Sequence, residues 1–245
     1  MLLNLIQTGI TYGFEGESFR WALISVLLSL PIIMLSLCVH ETAHGWVAYK
    51  LGDPTAKDLG RLTLNPLKHL NPIGFIAMLT IGIGWANPVP INARHFKNPR
   101  VGMALSGIAG PVSNLLMALV SYTLYMLTCF FMVLVGAVGN PHVAIQVLLI
   151  FLDLATYLNL ALALFNLIPV PPFDGSRFMY IFLPTKWYFK VMKYERYTGI
   201  VLIVILLVLS RMNIHPIDAA VRFIMDLMEI VFSVPLNLLL SLILS

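Results

Sequence analysis

The chain has 245 residues, of which 59% are hydrophobic and only 11% charged, with a mean hydropathy of +0.90 and a formal net charge of +4. A soluble domain of this size carries about a quarter charged residues, so this chain lacks the means to cover a water-facing surface. Composition therefore excludes a soluble globular domain and indicates a membrane protein. No nucleic-acid motif accompanies the basic excess, which removes nucleic acid as a partner.

In chain order, the first twenty residues lack a basic start, a compact apolar core and a small-residue cleavage site. No cleavable leader is expected there, and the first span is expected to be retained. Trp21 to Val39 is charge-free and long enough for one crossing. It runs into "VHETAH", residues 39–44. His40 and His44 are four apart, so on a helix they stand one turn apart on one face and can converge on a single zinc. Glu41 is rotated by about 100° and reaches a water bound to that metal rather than the metal itself. H-E-x-x-H thus supplies two ligands and a general base for peptide hydrolysis. The bland alternative is a polar helix end at the membrane interface. Against it, two histidines and a glutamate on a membrane helix are costly and by default mark function. Gly45 leaves room for another backbone to approach the metal face.

Asp53 and Asp58 follow in a loop with a "GDP" turn and read as solvated turn residues. The interval from His69 to Ala93 carries no Asp, Glu, Lys or Arg, yet it is rich in Gly and Pro. It predicts a short helix followed by a re-entrant or extended piece shielded by protein, because irregular backbone cannot face lipid. A long helix is predicted from about Val101 to Val138, broken by "GNPH" at 139–142, and a further apolar run from Val143 through Ile168. Within the first of these, "AGPVSN" (109–114) offers small residues for close helix packing, with Gly107, Gly110 and Ser113. Asn114 reads as a core hydrogen-bonding residue outside the catalytic set. Asp153 stands alone mid-span between two leucines.

A catalytic zinc takes three protein ligands and keeps an open position. Asp174 is the candidate for the third. It lies in "FNLIPVPPFDGSR" (165–177), where the apolar run breaks at prolines. Seven basic residues fall between 50 and 100 and five between 177 and 196. The positive-inside rule then runs the first span from outside to inside. With that topology the helix from 143 delivers Asp174 to the same cytoplasmic end at which His40 and His44 stand. Asp-Gly is also an ordinary turn pair, and on these residues alone that alternative stays open. Of the other histidines, His69 and His95 read as interfacial or solvated, and His142 and His215 adjoin prolines. Tyr197 to Ser210 predicts a fourth, shorter span with snorkelling arginines. Beyond residue 212 the sequence is amphipathic and is expected to lie on the membrane, with a greasy tail to 245. Cys38 and Cys129 read as small buried side chains without a disulfide.

"HETAH", "GRLTLNPLKHLNPIGF", "GWANPVPINARHFKNPR", "SGIAGPVSN" and "NLIPVPPFDGSR" occur in that order over about residues 20–180. Together they resemble the site-2 protease family of intramembrane zinc metalloproteases, and within it the short prokaryotic branch without PDZ or CBS domains. The resemblance implies one zinc held by His40, His44 and Asp174, with Glu41 as the base. It implies that Asn166 binds or orients substrate near the metal, and that "WANPVPIN" supplies an extended clamp for an unwound substrate. It also implies substrates that are transmembrane segments of other proteins, and an active site toward the cytoplasmic side of a prokaryotic inner membrane.

The expected fold is an all-α polytopic membrane protein, one membrane-embedded protease domain over 1–245. Three core helices fall around 21–50, 100–136 and 143–175, with peripheral helices at 197–245 and a short re-entrant or extended element. Two rival readings stand beside it. One is a different membrane zincin with Glu195 or Glu229 as third ligand. The other is a zinc-dependent membrane sensor, channel or scaffold without hydrolysis, against which the intact Glu41 speaks.

Overall fold

A backbone in lipid has only its own carbonyls for partners, so the long charge-free runs close into helices. The computed structural model describes residues 17–81, 86–136, 141–179 and 194–243, with Gly139, Ile181 and Phe182. Four of its helices are long and apolar enough to cross a membrane. They are α1 (Glu17–Lys50), α5 (Pro99–Leu134), α6 (Val143–Asn166) and α9 (Pro216–Ile243). Between α1 and α5 lie three short helices, α2 (Thr55–Asp58), α3 (Pro66–His69) and α4 (Pro72–Ile81). After α6 come α7 (Asp174–Met179) and α8 (Glu195–Arg211). No strand occurs among the described residues, and the protein is an all-α polytopic membrane protein. Of the expected elements, residues 82–85 and the basic residues Lys186, Lys190 and Lys193 lie outside the described set.

Local sequence sets several of these boundaries. Asn65 and Asn98 cap α3 and α5 by accepting from the N–H groups of Leu67 and Val101, each with a proline at the start of the helix. Proline fits there because its missing N–H would have no helical partner. The third core helix stops at Asn166 rather than near 175, since the prolines after it cannot continue the ladder. Asp174 therefore opens a helix of its own.

The predicted fourth span forms helix α8, but with 17 residues it is shorter than the four crossing-length helices. The segment read as lying on the membrane is α9, 28 residues and crossing-length, and it packs into the bundle. Val221 is buried with Ala118 and Leu160, and Ile217, Ile224 and Met228 close around them. Its polar residues line an open cleft against neighbouring helices. Tyr157 Oη donates to Asp218, and Arg222, Asp226 and Glu229 share a cleft of about 410 Å³ with Tyr122, Tyr125 and Asp153. Asp153, the one charged residue of α6, lines this cleft.

Two further residues are likewise buried where solvated side chains were expected. His69 is 1% exposed, and its Nε2 lies 2.8 Å from the Thr63 carbonyl. Asp53 has no exposed surface. Its carboxylate accepts from Thr55 N and Oγ1, from His95 Nδ1 at 2.7 Å and from Asn92 N at 2.7 Å. Burial raises this carboxyl's pKa, but the hydrogen bonds from Thr55, His95 and Asn92 outweigh it and hold the group below its ordinary 3.8. Both cysteines are free; Cys38 is buried as expected, whereas Cys129 is half-buried.

Candidate active site

His40 and His44 stand in the last three turns of α1 with their rings turned toward α5. Each ring is held by its Nδ1 atom. His40 Nδ1 lies 2.8 Å from Asn114 Oδ1, and His44 Nδ1 lies 2.6 Å from the carbonyl oxygen of Ser106. Both partners are acceptors, so each ring carries its proton on Nδ1 and leaves a lone pair on Nε2. The two Nε2 atoms are 3.0 Å apart, and each is 3.1 Å from Asp174 Oδ2. Asp174 carries a carboxyl group, which is ordinarily ionised near neutral pH. It therefore enters the site as an anion.

Two lone pairs and an anionic oxygen this close repel one another unless a cation lies among them. Three ligands on a tetrahedral zinc at about 2.0–2.1 Å would sit roughly 3.3 Å from each other. The observed spacing is close to that, and the donor set of two imidazoles and a carboxylate suits zinc. Among the described residues this is the one cluster of His, Cys, Asp or Glu that could hold a metal ion. Gly110 of α5 makes the approach possible. A Cβ there would lie 2.4 Å from His44 Nε2.

Glu41 points to another face of α1. Its Oε2 accepts from Val89 N at 2.8 Å. Val89 belongs to a non-helical strap, residues 86–92, which carries the "WANPVPIN" prolines and is pinned along its length. Ala86 bridges antiparallel to Leu70, and Asn87 N donates to the His69 carbonyl at 2.7 Å. Arg61 Nη2 donates to the Asn87 carbonyl at 2.8 Å. Asn92 N closes the strap on Asp53. The glycine expected to admit backbone at the metal face, Gly45, instead admits this strap, with a Cβ there meeting Val89 Cγ1 at 3.0 Å.

The structure thus brings His40, His44 and Asp174 together and sets Glu41 beside the strap. Asn166 ends α6 with its Nδ2 on its own helix, at the Leu162 carbonyl, and makes no hydrogen bond to the three among the described residues. Sequence reasoning missed the Ser106 carbonyl and the ring contact of Asn114. An uncharged amide inside a charge-free span was the available signal for the second; a backbone carbonyl leaves none.

Residues 29–210 match the model of peptidase family M50. The chain belongs to that family. This M50 peptidase is 45% identical over 192 residues to "Putative zinc metalloprotease YwhC" of Bacillus subtilis, covering 77% of this chain and 84% of that protein. It is 32% identical over 202 residues to "Zinc metalloprotease MJ0392" of Methanocaldococcus jannaschii, covering 81% of this chain and 46% of that one. No solved structure matches it. With its crossing-length helices and zinc-compatible cluster, the M50 peptidase is an integral membrane zinc metalloprotease.

Proposed function

We propose that His40, His44 and Asp174 hold the zinc, that Glu41 is the general base, and that the enzyme hydrolyses peptide bonds in or near transmembrane segments of other membrane proteins. The observation that carries this reading is the convergence of three proton-free donors at about one spacing, one helix face away from a carboxylate. Zinc bound there would polarise the scissile carbonyl and lower the pKa of its water to about 7. Glu41 would be the residue that accepts a proton from such a water. Its Oε2 is held by the Val89 N–H, so the carboxylate has a fixed direction before substrate arrives.

A helix hides its carbonyls in its own ladder, so a substrate segment must unwind before cleavage. The strap favours an unwound guest. Pro88 and Pro90 have no N–H and Val89 N is held by Glu41, so an unwound guest would donate to strap carbonyls, and the pinning at Asp53, Arg61 and Leu70 keeps this irregular backbone in place. Asn166, eight residues before Asp174, is assigned to orienting the substrate. The chain acts as one membrane-embedded protease domain. Lys50, Lys57, Arg61, Arg94, Lys97 and Arg100 cluster at the α1 exit and α5 entry, which favours an active site open to the cytoplasmic side of a prokaryotic inner membrane.

The test is cleavage of a tagged model transmembrane substrate in liposomes, with zinc quantified on each protein. Glu41→Gln should keep zinc and lose turnover by about 10²–10⁴-fold, the range for a positioned acid–base group. Asp174→Ala should weaken zinc. Wild-type turnover by Glu41→Gln would sink the assignment of the base and leave a zinc site of non-hydrolytic purpose.

A further inference from the structure

Asn159 sits in the second half of α6, has no exposed surface, and makes no hydrogen bond to a proposed zinc ligand. Its position is nevertheless tied to one of them through a directional chain. Asn159 Nδ2 donates to the Ala155 carbonyl at 2.8 Å. Asn159 Oδ1 accepts from Asn114 Nδ2 at 3.1 Å, and Asn114 Oδ1 faces His40 Nδ1 at 2.8 Å. A backbone carbonyl can only accept, so the Asn159 amide has a single satisfied orientation. That orientation presents oxygen to Asn114, which must answer with its NH₂ and turn its own oxygen to His40. The polarity of the Ala155 carbonyl is thereby transmitted across two helices to the ring.

We infer that Asn159 is a positioning residue: through Asn114 it fixes the His40 proton on Nδ1 and so keeps Nε2 available to zinc. The inference rests on the metal site proposed above. Packing alone gives no reason for an amide here. A leucine, with the same branching and the same number of heavy atoms, would avoid the cost of burying four hydrogen-bonding valences. His44 needs no such relay, because the Ser106 carbonyl contacts its Nδ1 directly.

Replacing Asn159 by leucine leaves Asn114 free to turn. Turned, its NH₂ faces His40 Nδ1 and draws the ring proton to Nε2, where it opposes the metal. Outer-shell partners of metal-bound histidines typically carry 10–100-fold in affinity, so N159L should weaken zinc by roughly 10-fold or more. Adding Asn114→Asp should restore it. A carboxylate offers acceptors in both orientations and keeps the His40 proton on Nδ1 without help from Asn159. A purely structural defect would not be relieved by adding a buried charge.

The experiment is a chelator-competition measurement of zinc affinity on the full-length protein in detergent. Wild type, His40→Ala, N159L and N159L/N114D are compared, with thermal unfolding recorded for each. Weakened zinc in N159L and recovery in the double variant is the expected result. Wild-type affinity in N159L, or loss without recovery, overturns the relay. Equal affinity in wild type and His40→Ala would instead remove the metal site itself, and the relay with it. If N159L does not fold, the pair Asn114→Leu and Asn114→Asp tests the other end. Leucine should lose zinc and aspartate keep it; equal behaviour overturns the inference.

Discussion

Replacing Gly110 with alanine puts a methyl carbon where the two imidazoles face α5. On the observed backbone it would lie 2.4 Å from His44 Nε2 and 2.6 Å from Cε1 of both His40 and His44. Non-bonded contacts between such atoms settle near 3.5–4.0 Å, so something must yield by about 1 Å. The rings cannot swing aside alone, because Nδ1 of each is tied to α5, at 2.8 Å to Asn114 and 2.6 Å to Ser106. Parting α1 from α5 lengthens the same two bonds. Overpacking of this kind costs about 1–3 kcal/mol of stability, which a helical bundle of this size can survive. A misplacement of about 1 Å at reacting groups costs on the order of 10²-fold in rate. Gly110→Ala should therefore stay folded, bind zinc at least about tenfold more weakly and cleave roughly 100-fold more slowly. Zinc per chain, measured beside substrate cleavage, reads both. Gly139→Ala is the control, with nothing within 4 Å of its added carbon. Full zinc and full turnover in Gly110→Ala would show that the metal face does not lie against α5.

Asp53 gives a pH dependence. Its carboxyl is held below its ordinary 3.8, so it stabilises the fold above that value, and the contribution is lost as pH falls through the lower folded-state pKa. Thermal unfolding of wild type should drop more steeply than that of Asp53→Asn across this acid range; parallel curves would contradict the assignment. Arg61→Ala removes the charged donor to the Asn87 carbonyl. A hydrogen bond from a charged group is worth about 1.5–3 kcal/mol, so a loosened strap should lower kcat/KM roughly tenfold with zinc content unchanged. Loss of zinc in that variant would show that the strap and the metal are not separable.

What the sequence made legible follows from range. His40, Glu41 and His44 lie within five residues, and helix geometry alone decides where their side chains go. Asp174 is 134 residues from His40, yet topology brought it to the same depth, because spans of fixed length leave few choices. Asp53 was misread for the opposite reason. Whether a turn is solvated depends on what folds over it, and the cover comes from Asn92 and His95, about forty residues on. The strap likewise returns onto His69, whose backbone carbonyl accepts from Asn87 N. Asn114 was read as a hydrogen-bonding core residue, but its partners stand on two other helices and no local spacing names them.

The order of residues in "HETAHG" separates the chemistry onto two faces of α1. His40 and His44 face α5, where Ser106, Gly110 and Asn114 receive them. Glu41 and Gly45, one position later and so turned by about 100°, face the strap at Val89. On the reading proposed above, metal and base answer to different neighbours. Perturbations from the α5 side, at Gly110 or through Asn159 and Asn114, should act first on zinc. Perturbations from the strap side, at Arg61 or at Glu41 itself, should leave zinc in place and act on turnover. A single helix can serve both because its backbone is satisfied internally and lends neither face any partner; each face is defined by what packs on it. A variant that moved zinc and turnover together from the strap side would mean that the two faces are mechanically joined, and that α1 rotates or shifts as one body when the strap is disturbed.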